Sequence, residues 1–265
     1  MGKWQTVGLG RTAEILLWDE NQVLKLFRDG WSLSSVKWEE NVARKIYEAG
    51  LPVPAVFGIV EVDGRYGIIY ERVDGQSMLS VLIAKPEKIE LFAGMFAKLH
   101  TQMHSLELTG FPSQRQQLER KIRNAEPLPE NRRNAALRAL HKLPDGSVLC
   151  HGDFHPDNIL MSSRGPVVID WNDATQGNPH ADIARTLLLL QQGDPQQQFN
   201  INKEQISSMR SLFIDIYLKL YTKIRPISLE KIELWRLTVA AARLSEGIKE
   251  EESRLLSIVE TLIQK

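Results

Sequence analysis

An aspartate and an asparagine five residues apart, Asp153 and Asn158, stand in the run Cys150-His151-Gly152-Asp153-Phe154-His155-Pro156-Asp157-Asn158-Ile159-Leu160. A second aspartate, Asp170, closes the apolar run Val167-Val168-Ile169 just before Trp171. The spacing is that of H-x-D-x-x-x-x-N, a catalytic loop in which the Asp orients an acceptor hydroxyl and the Asn holds a metal ion. The chemistry is therefore phosphoryl transfer. That reaction needs a positioned nucleotide, metal charge across the β- and γ-phosphates, and a group that orients the acceptor oxygen. Asp153 is the candidate for the last role. Asn158 and Asp170 offer oxygen donors suited to Mg²⁺, which also takes phosphate oxygens and waters. Ordinary turn acids would explain a lone H-x-D, but here the spacing, the flanking apolar strands and Asp170 agree.

The nucleotide needs a cation, and Lys25 is the candidate. Alternation along Gln22–Phe27 puts Val23, Lys25 and Phe27 on one face. A lysine between apolar neighbours is costly to bury without an anion, which the α/β-phosphates of ATP would supply. Glu39 is its candidate partner; Glu40 competes, but Glu39 shares the helix face of Val42 and Ile46. A solvent-facing strand lysine is the rival reading of this segment. Gly8 and Gly10, in Gly8-Leu9-Gly10-Arg11-Thr12, sit where backbone N–H groups would cradle phosphate oxygens, although no full G-x-G-x-x-G or P-loop is present. His151 reads as packed under the loop, and no role is assigned to His155. His100 and His104 have i, i+4 spacing that zinc could use, but no neighbouring Cys or Glu, so they read as satisfied histidines.

These residues must be carried by elements. Trp4–Val7, Thr12–Trp18 and Gln22–Phe27 read as three strands, Ser34–Ala49 as a helix closed by Gly50, and Val56–Val62 and Tyr66–Val73 as two further strands turning at Asp63-Gly64. Leu51-Pro52-Val53-Pro54 enforces an extended approach to them. Beyond Gln76 the pattern is helical: Glu87–His104, Gln114–Ala125, Arg132–Leu143, Ile183–Gln192, Glu204–Lys223, Leu229–Ile248 and Glu250–Ile263. One β-containing piece, Ser147–Trp171, interrupts it: Ile159–Met161, a turn at Gly165-Pro166, then Val167–Ile169. Gly193–Asn202 reads as a polar, Gln-rich loop. The expected fold class is α+β and bilobal: a small antiparallel-sheet N-lobe over residues 1–75 that binds nucleotide, and a mostly helical C-lobe over residues 76–265 that carries the catalytic and acceptor-binding groups.

Acids and bases balance at 33 each among 265 residues, so no global field draws the chain to nucleic acid or anionic membrane. The single cysteine, Cys150, excludes an intrachain disulfide and fits a reducing, cytoplasmic compartment. No apolar run reaches the length of a membrane span, and no leader pattern opens the chain. Met1-Gly2-Lys3-Trp4-Gln5-Thr6 fits the N-myristoylation pattern, but no second anchor lies nearby, and it reads as the start of the first strand.

The runs His151–Leu160 and Val168–Trp171, continuing through Gly177-Asn178-Pro179-His180-Ala181-Asp182-Ile183-Ala184-Arg185-Thr186, resemble the aminoglycoside phosphotransferase and choline kinase-like family, which has a protein kinase-like fold. Leu51-Pro52-Val53-Pro54 and Glu71-Arg72-Val73-Asp74-Gly75 look like the family's lobe junction. The resemblance implies Asp153 as catalytic base, Asn158 and Asp170 on Mg²⁺, Lys25 with Glu39 on the phosphates of ATP, and Asp182 as a structural acid bracing the loop. It also implies a hinge near Tyr70–Val73, including Glu71 and Val73, whose backbone meets the adenine. Gly152 stands where protein kinases have the Arg of H-R-D, Trp171-Asn172 replaces Phe-Gly, and A-P-E is missing. The implied acceptor is thus a small hydroxylated molecule (an aminoglycoside, choline, sugar or fructosamine) rather than a protein. Two rivals stand beside this ATP- and Mg²⁺-dependent kinase: a nucleotide-binding pseudokinase acting as sensor or scaffold, and a protein kinase. Glu246 and the run Glu250-Glu251-Glu252 read as a solvated helix-end charge cluster rather than as acceptor ligands. The acceptor, the choice of ATP over GTP and the oligomeric state are not encoded in these patterns.

Overall fold

The structure is a computed structural model that describes residues 4–10, 12–192 and 202–264. Met1–Lys3 of the N-myristoylation pattern Met1–Thr6, Arg11 of the glycine segment and residues 193–201 of the Gln-rich loop lie outside the described residues. The chain opens with β1 (Thr6–Leu9), β2 (Ala13–Leu17), β3 (Gln22–Phe27), α1 (Leu33–Glu48), β4 (Val56–Val62), β5 (Arg65–Glu71) and β6 (Gly75–Ser77). There follow α2 (Met78–Ala84), α3 (Ile89–Met103), α4 (Gln114–Arg123), α5 (Glu130–Lys142), β7 (Val148–Cys150), β8 (Ile159–Ser162), β9 (Gly165–Val168) and β10 (Thr175–Gly177). The remaining helices are α6 (Pro179–Gln192), α7 (Lys203–Ile224), α8 (Leu229–Arg243) and α9 (Lys249–Ile263).

Tertiary contacts gather these elements into two compact units, residues 1–81 with 156–172, and residues 82–155 with 173–265. A single break near Val73–Ser77 would have left the β8–β9 hairpin with the helices. It joins the first unit instead, because β8 pairs with β6, Ser77 opposite Leu160 and Gly75 opposite Ser162.

In the first unit the strands form an antiparallel sheet in the order β1-β2-β3-β5-β4. Asp63 and Gly64, with φ of 50° and 77°, make the left-handed turn that a two-residue hairpin needs. Alternation buries two different faces. Ala13, Phe27, Val56 and Ile68 pack on Val36 and Ala43 of α1, while Leu16, Leu24 and Leu26 pack beside Trp18 and Ile69 on the other side. Ser32 caps α1 by accepting the Ser35 N–H, and Gly50 follows the helix at φ 80°. The second hairpin turns at Ser163-Arg164, not at Gly165-Pro166: Gly165 already pairs with Ser162 and Pro166 with Met161. Val168 N–H donates to Pro52 O at 2.8 Å, which ties the hairpin to the proline-stiffened segment before β4.

The second unit is helical around one short ladder, β7 against β10. Phe96 of α3 stacks on Phe154 at 4.2 Å between ring centroids and meets Tyr217 of α7 edge-on at 5.0 Å. These rings are fully buried and form the core beneath the Asp153 loop. The helix expected over Leu229–Ile248 stops at Arg243. A 3-10 turn, Leu244–Glu246, and Gly247 at φ 68° end it and turn the chain into α9.

Candidate active site

In the sheet unit, β3 places Lys25 on the α1 side, and its Nζ lies 2.7 Å from Glu39 Oε1 and 3.4 Å from Asp170 Oδ1. Its side chain is only 13% exposed, so it does not face solvent. Glu40, the competing partner, pairs with Arg44 one turn along α1 instead. Tyr70 donates its hydroxyl to Glu39 at 3.4 Å. Burial alone would lower the Lys25 pKa, but the Glu39 and Asp170 carboxylates outweigh it and hold the ammonium above its usual range. Burial pushes Glu39 up, with Lys25 pulling it back.

Asn158 and Asp170 flank the β8–β9 hairpin at one end, joined by the Ile169 N–H donating to Asn158 O at 3.0 Å. Asp170 adopts φ 63°, a left-handed conformation that costs an aspartate roughly 1 kcal/mol, and its side chain is 43% exposed. The Asn172 amide donates to Asp170 Oδ1 at 2.6 Å. An amide oxygen and a carboxylate are hard donors, and the pair suits Mg²⁺ far better than a soft metal. Gly8 falls within β1 rather than in a loop, and Gly10 follows it, its N–H donating to Ala13 O at 2.9 Å. Glu71 spends its carboxylate on structure, accepting the Ala55 N–H at 3.1 Å and Arg164 at 2.8 Å; Val73 follows β5, half-buried. A hollow of about 330 Å³ opens beside Trp31, Trp38, Glu39, Trp171 and Asn172.

In the helical unit the Asp153 loop hangs from Asp182. Asp182 Oδ2 accepts the His151 N–H at 2.9 Å and its Oδ1 the Gly152 N–H at 2.8 Å. His100 and His104 each approach the same Oδ2 with Nε2 at 3.1 Å, and their Nδ1 atoms meet Tyr217 and Tyr221 hydroxyls at 2.8 and 2.7 Å. These three side chains are close enough to hold a metal, but every ring nitrogen already has a hydrogen-bond partner. Burial, with a smaller contribution from His104, drives the His100 pKa down to about 3, so its imidazole is neutral. Burial opposes ionisation of Asp182, yet the two histidine hydrogen bonds hold it well below the carboxylate range. His151 is fully buried and accepts the Asp153 N–H on Nδ1 at 3.2 Å.

Asp153 itself is gripped from two sides. Arg185 of α6 donates to Oδ1 at 3.1 Å, and the His155 ring lies 3.6 Å from Oδ2. Burial opposes ionisation here too, but His155 and Arg185 together keep the carboxyl far below its usual range. Sequence reasoning assigned neither of these partners a role, because neither has a spacing that marks it. Glu246 and Glu251 were also misplaced as solvated: they are 10% and 11% exposed and ion-paired to Arg185 and Arg243. The helix break at Gly247 turns them inward, which continuous helical periodicity hides.

A sheet unit with a buried Lys–Glu pair, followed by a helical unit with a braced aspartate loop, is the architecture of a kinase-like phosphotransferase. The family model for phosphotransferase enzymes matches residues 4–208, and the chain belongs to that family. Acyl-CoA dehydrogenase family member 11 of Gallus gallus is 27% identical over 169 residues, 55% of this chain; the match spans only 22% of that relative's length. Among solved structures, an aminoglycoside-3'-phosphotransferase of type VIII superposes with a TM-score of 0.64 at 20% identity, covering 91% of this chain and 93% of its own. A thermostable mutant of aminoglycoside phosphotransferase APH(4)-Ia, in ternary complex with AMP-PNP and hygromycin B, gives 0.66 at 14% identity, covering 99% and 93%. At such identities the likeness establishes the fold, α+β with a small antiparallel-sheet lobe and a mostly helical lobe.

Proposed function

We propose that the protein is an ATP- and Mg²⁺-dependent phosphotransferase that moves the γ-phosphoryl group to a hydroxyl of a small molecule. The observation that carries this reading is Lys25, buried between Glu39 and Asp170 with its ammonium charge retained. The sheet unit, residues 1–81 with 156–172, holds the nucleotide and its metal, and the helical unit, residues 82–155 with 173–265, supplies the Asp153 loop and the acceptor site. Mg-ATP brings the transferable group and the metal charge that neutralises it. Lys25 Nζ binds phosphate oxygens, oriented by Glu39 and, through it, by Tyr70. The Asn158 amide oxygen and the Asp170 carboxylate are the protein's ligands for the ion. Backbone groups around Gly8 and Gly10 line the phosphates, and the backbone at Glu71–Val73 meets the adenine.

Asp153 orients the acceptor O–H: as the acceptor oxygen bonds to the γ-phosphorus, the bond from that phosphorus to the β-phosphate oxygen breaks, ADP leaves, and the acceptor proton passes to the Asp153 carboxylate. A carboxyl held so far below its usual range is ionised at neutral pH, so it serves chiefly as an acceptor that aims the nucleophile. The neighbouring phosphotransferase that binds hygromycin B and AMP-PNP supports a small hydroxylated acceptor and an adenine nucleotide. ADP release from Mg-ATP across aminoglycosides, amino alcohols, sugars and fructosamines, with Asp153→Ala alongside, tests the reading. Acceptor-dependent release that disappears in the variant supports it; nucleotide binding without stimulation by any acceptor favours a sensor or scaffold.

A further inference from the structure

Arg185 is 7% exposed and has two hydrogen-bond acceptors and one further carboxylate, an ion-pair partner, around one guanidinium. Nε donates to Gly152 O at 3.0 Å, while Nη2 lies 3.1 Å from Asp153 Oδ1 and 2.9 Å from Glu246 Oε1. Glu246 is itself fixed, its Oε2 paired with Arg243 and its Oε1 3.5 Å from Lys121. Arg243 in turn binds Glu251 at 2.8 and 2.9 Å. The result is a half-buried file of alternating charge, Asp153–Arg185–Glu246–Arg243–Glu251, running from the catalytic loop to the first turn of α9. A lone carboxylate on a loop can rotate about its Cβ–Cγ bond. A planar guanidinium bonded at once to the backbone oxygen of Gly152 and to the side chain of Asp153 removes that freedom.

We infer that Arg185, itself held by Glu246, is the positioning residue that aims Asp153 at the acceptor oxygen, so that the turn Leu244–Glu246 helps set the geometry of transfer. This rests on the reading of Asp153 as the acceptor-orienting group. Arg185 touches neither the transferring group nor the acceptor in this role; it acts through Asp153. Lysine cannot replace it fully, because a point charge cannot donate in a fixed fork to Gly152 O and Asp153 Oδ1 while also pairing with Glu246.

The test uses the full chain with Arg185→Ala, Arg185→Lys, Glu246→Gln and the double variant Arg185→Ala/Glu246→Gln, after circular dichroism has established which are folded. Amide hydrogen exchange at residues 151–155 is the first readout. Arg185→Ala and Glu246→Gln should each speed exchange there, and the double variant should be no faster than Arg185→Ala, because the two act as one unit. ADP release with an acceptor found active is the second. Arg185→Ala should lower kcat about 100-fold with the KM for Mg-ATP within about twofold, and Arg185→Lys should recover only part of the loss. Unchanged exchange in the milder Glu246→Gln variant, additive effects in the double variant, or a change confined to KM would overturn the inference. Should the wild type bind Mg-ATP yet turn over no acceptor, the phosphotransfer reading fails by itself, and the exchange data still decide whether Arg185 and Glu246 hold the loop.

Discussion

Buried titratable groups at single residues make stability depend on pH. His100 keeps a neutral ring because its pKa is lowered to about 3, whereas in the unfolded chain it would titrate near 6.5. The unfolded state then binds the extra proton first, so stability from this group is present above pH 6.5 and is lost as pH falls toward 3. Between pH 7 and pH 4.5 the loss should reach about 2.5 kcal/mol, and the pH slope of the urea midpoint should flatten in His100→Gln. The depressed pKa of Asp182 adds its own loss only at lower pH, below the ordinary carboxylate range. A second residue-level expectation concerns Glu39. Removing its charge in Glu39→Gln frees Lys25 from its closest partner at 2.7 Å, and Mg-AMP-PNP should bind about tenfold more weakly by calorimetry, roughly 1.4 kcal/mol. Undiminished affinity would remove Glu39 from the nucleotide site.

Elements decide which residues the sequence could reveal. The three opening strands, α1, the Asp63-Gly64 turn and the β8–β9 hairpin follow from alternation, helical period and turn chemistry, each a local property. Asp153, Asn158 and Asp170 were visible because a loop and a hairpin fix their spacing along the chain. Lys25 and Glu39 were legible for a different reason: each stands on the apolar face of its own element. Arg185, His155 and Glu246 were not, because their contacts with Asp153 and with one another arise where α6, the loop and the turn after α8 meet, and no local period records that. The turn at Ser163-Arg164 was missed because Gly165-Pro166 carries the stronger turn signal, yet Gly165 takes its φ of 107° inside the ladder. Gly152 offers a direct test of the loop. It adopts φ 78°, and an added Cβ would come within 2.4 Å of Asp173 O, a backbone atom. Gly152→Ala should therefore cost about 2–4 kcal/mol in a denaturant titration and abolish turnover even where the chain still folds.

Across the molecule, acids and bases cancel, 33 against 33, so the charge that matters is organised locally. One cluster surrounds Lys25 in the sheet unit and another surrounds Asp153 in the helical unit, and each is an ion network that buries its charges in pairs. No helix among the described residues is long and apolar enough to cross a membrane. The chain belongs to the phosphotransferase enzyme family, and under the function proposed above one cluster would serve a nucleotide and its metal and the other an acceptor hydroxyl. The departures from protein kinases lie at Gly152, at Trp171-Asn172 and in the missing A-P-E, and here it is Arg185 of α6 that donates to Gly152 O and Asp153 Oδ1. The most direct measurement is ADP release from Mg-ATP over a panel of small hydroxylated acceptors, with wild type and Asp153→Ala side by side and Mg-ATP affinity measured on both. Release that depends on one acceptor class, falls at least about 100-fold in Asp153→Ala and leaves Mg-ATP affinity unchanged is the expected result. A wild type that fails to bind Mg-ATP, or an Asp153→Ala variant that turns over at the wild-type rate, would contradict it.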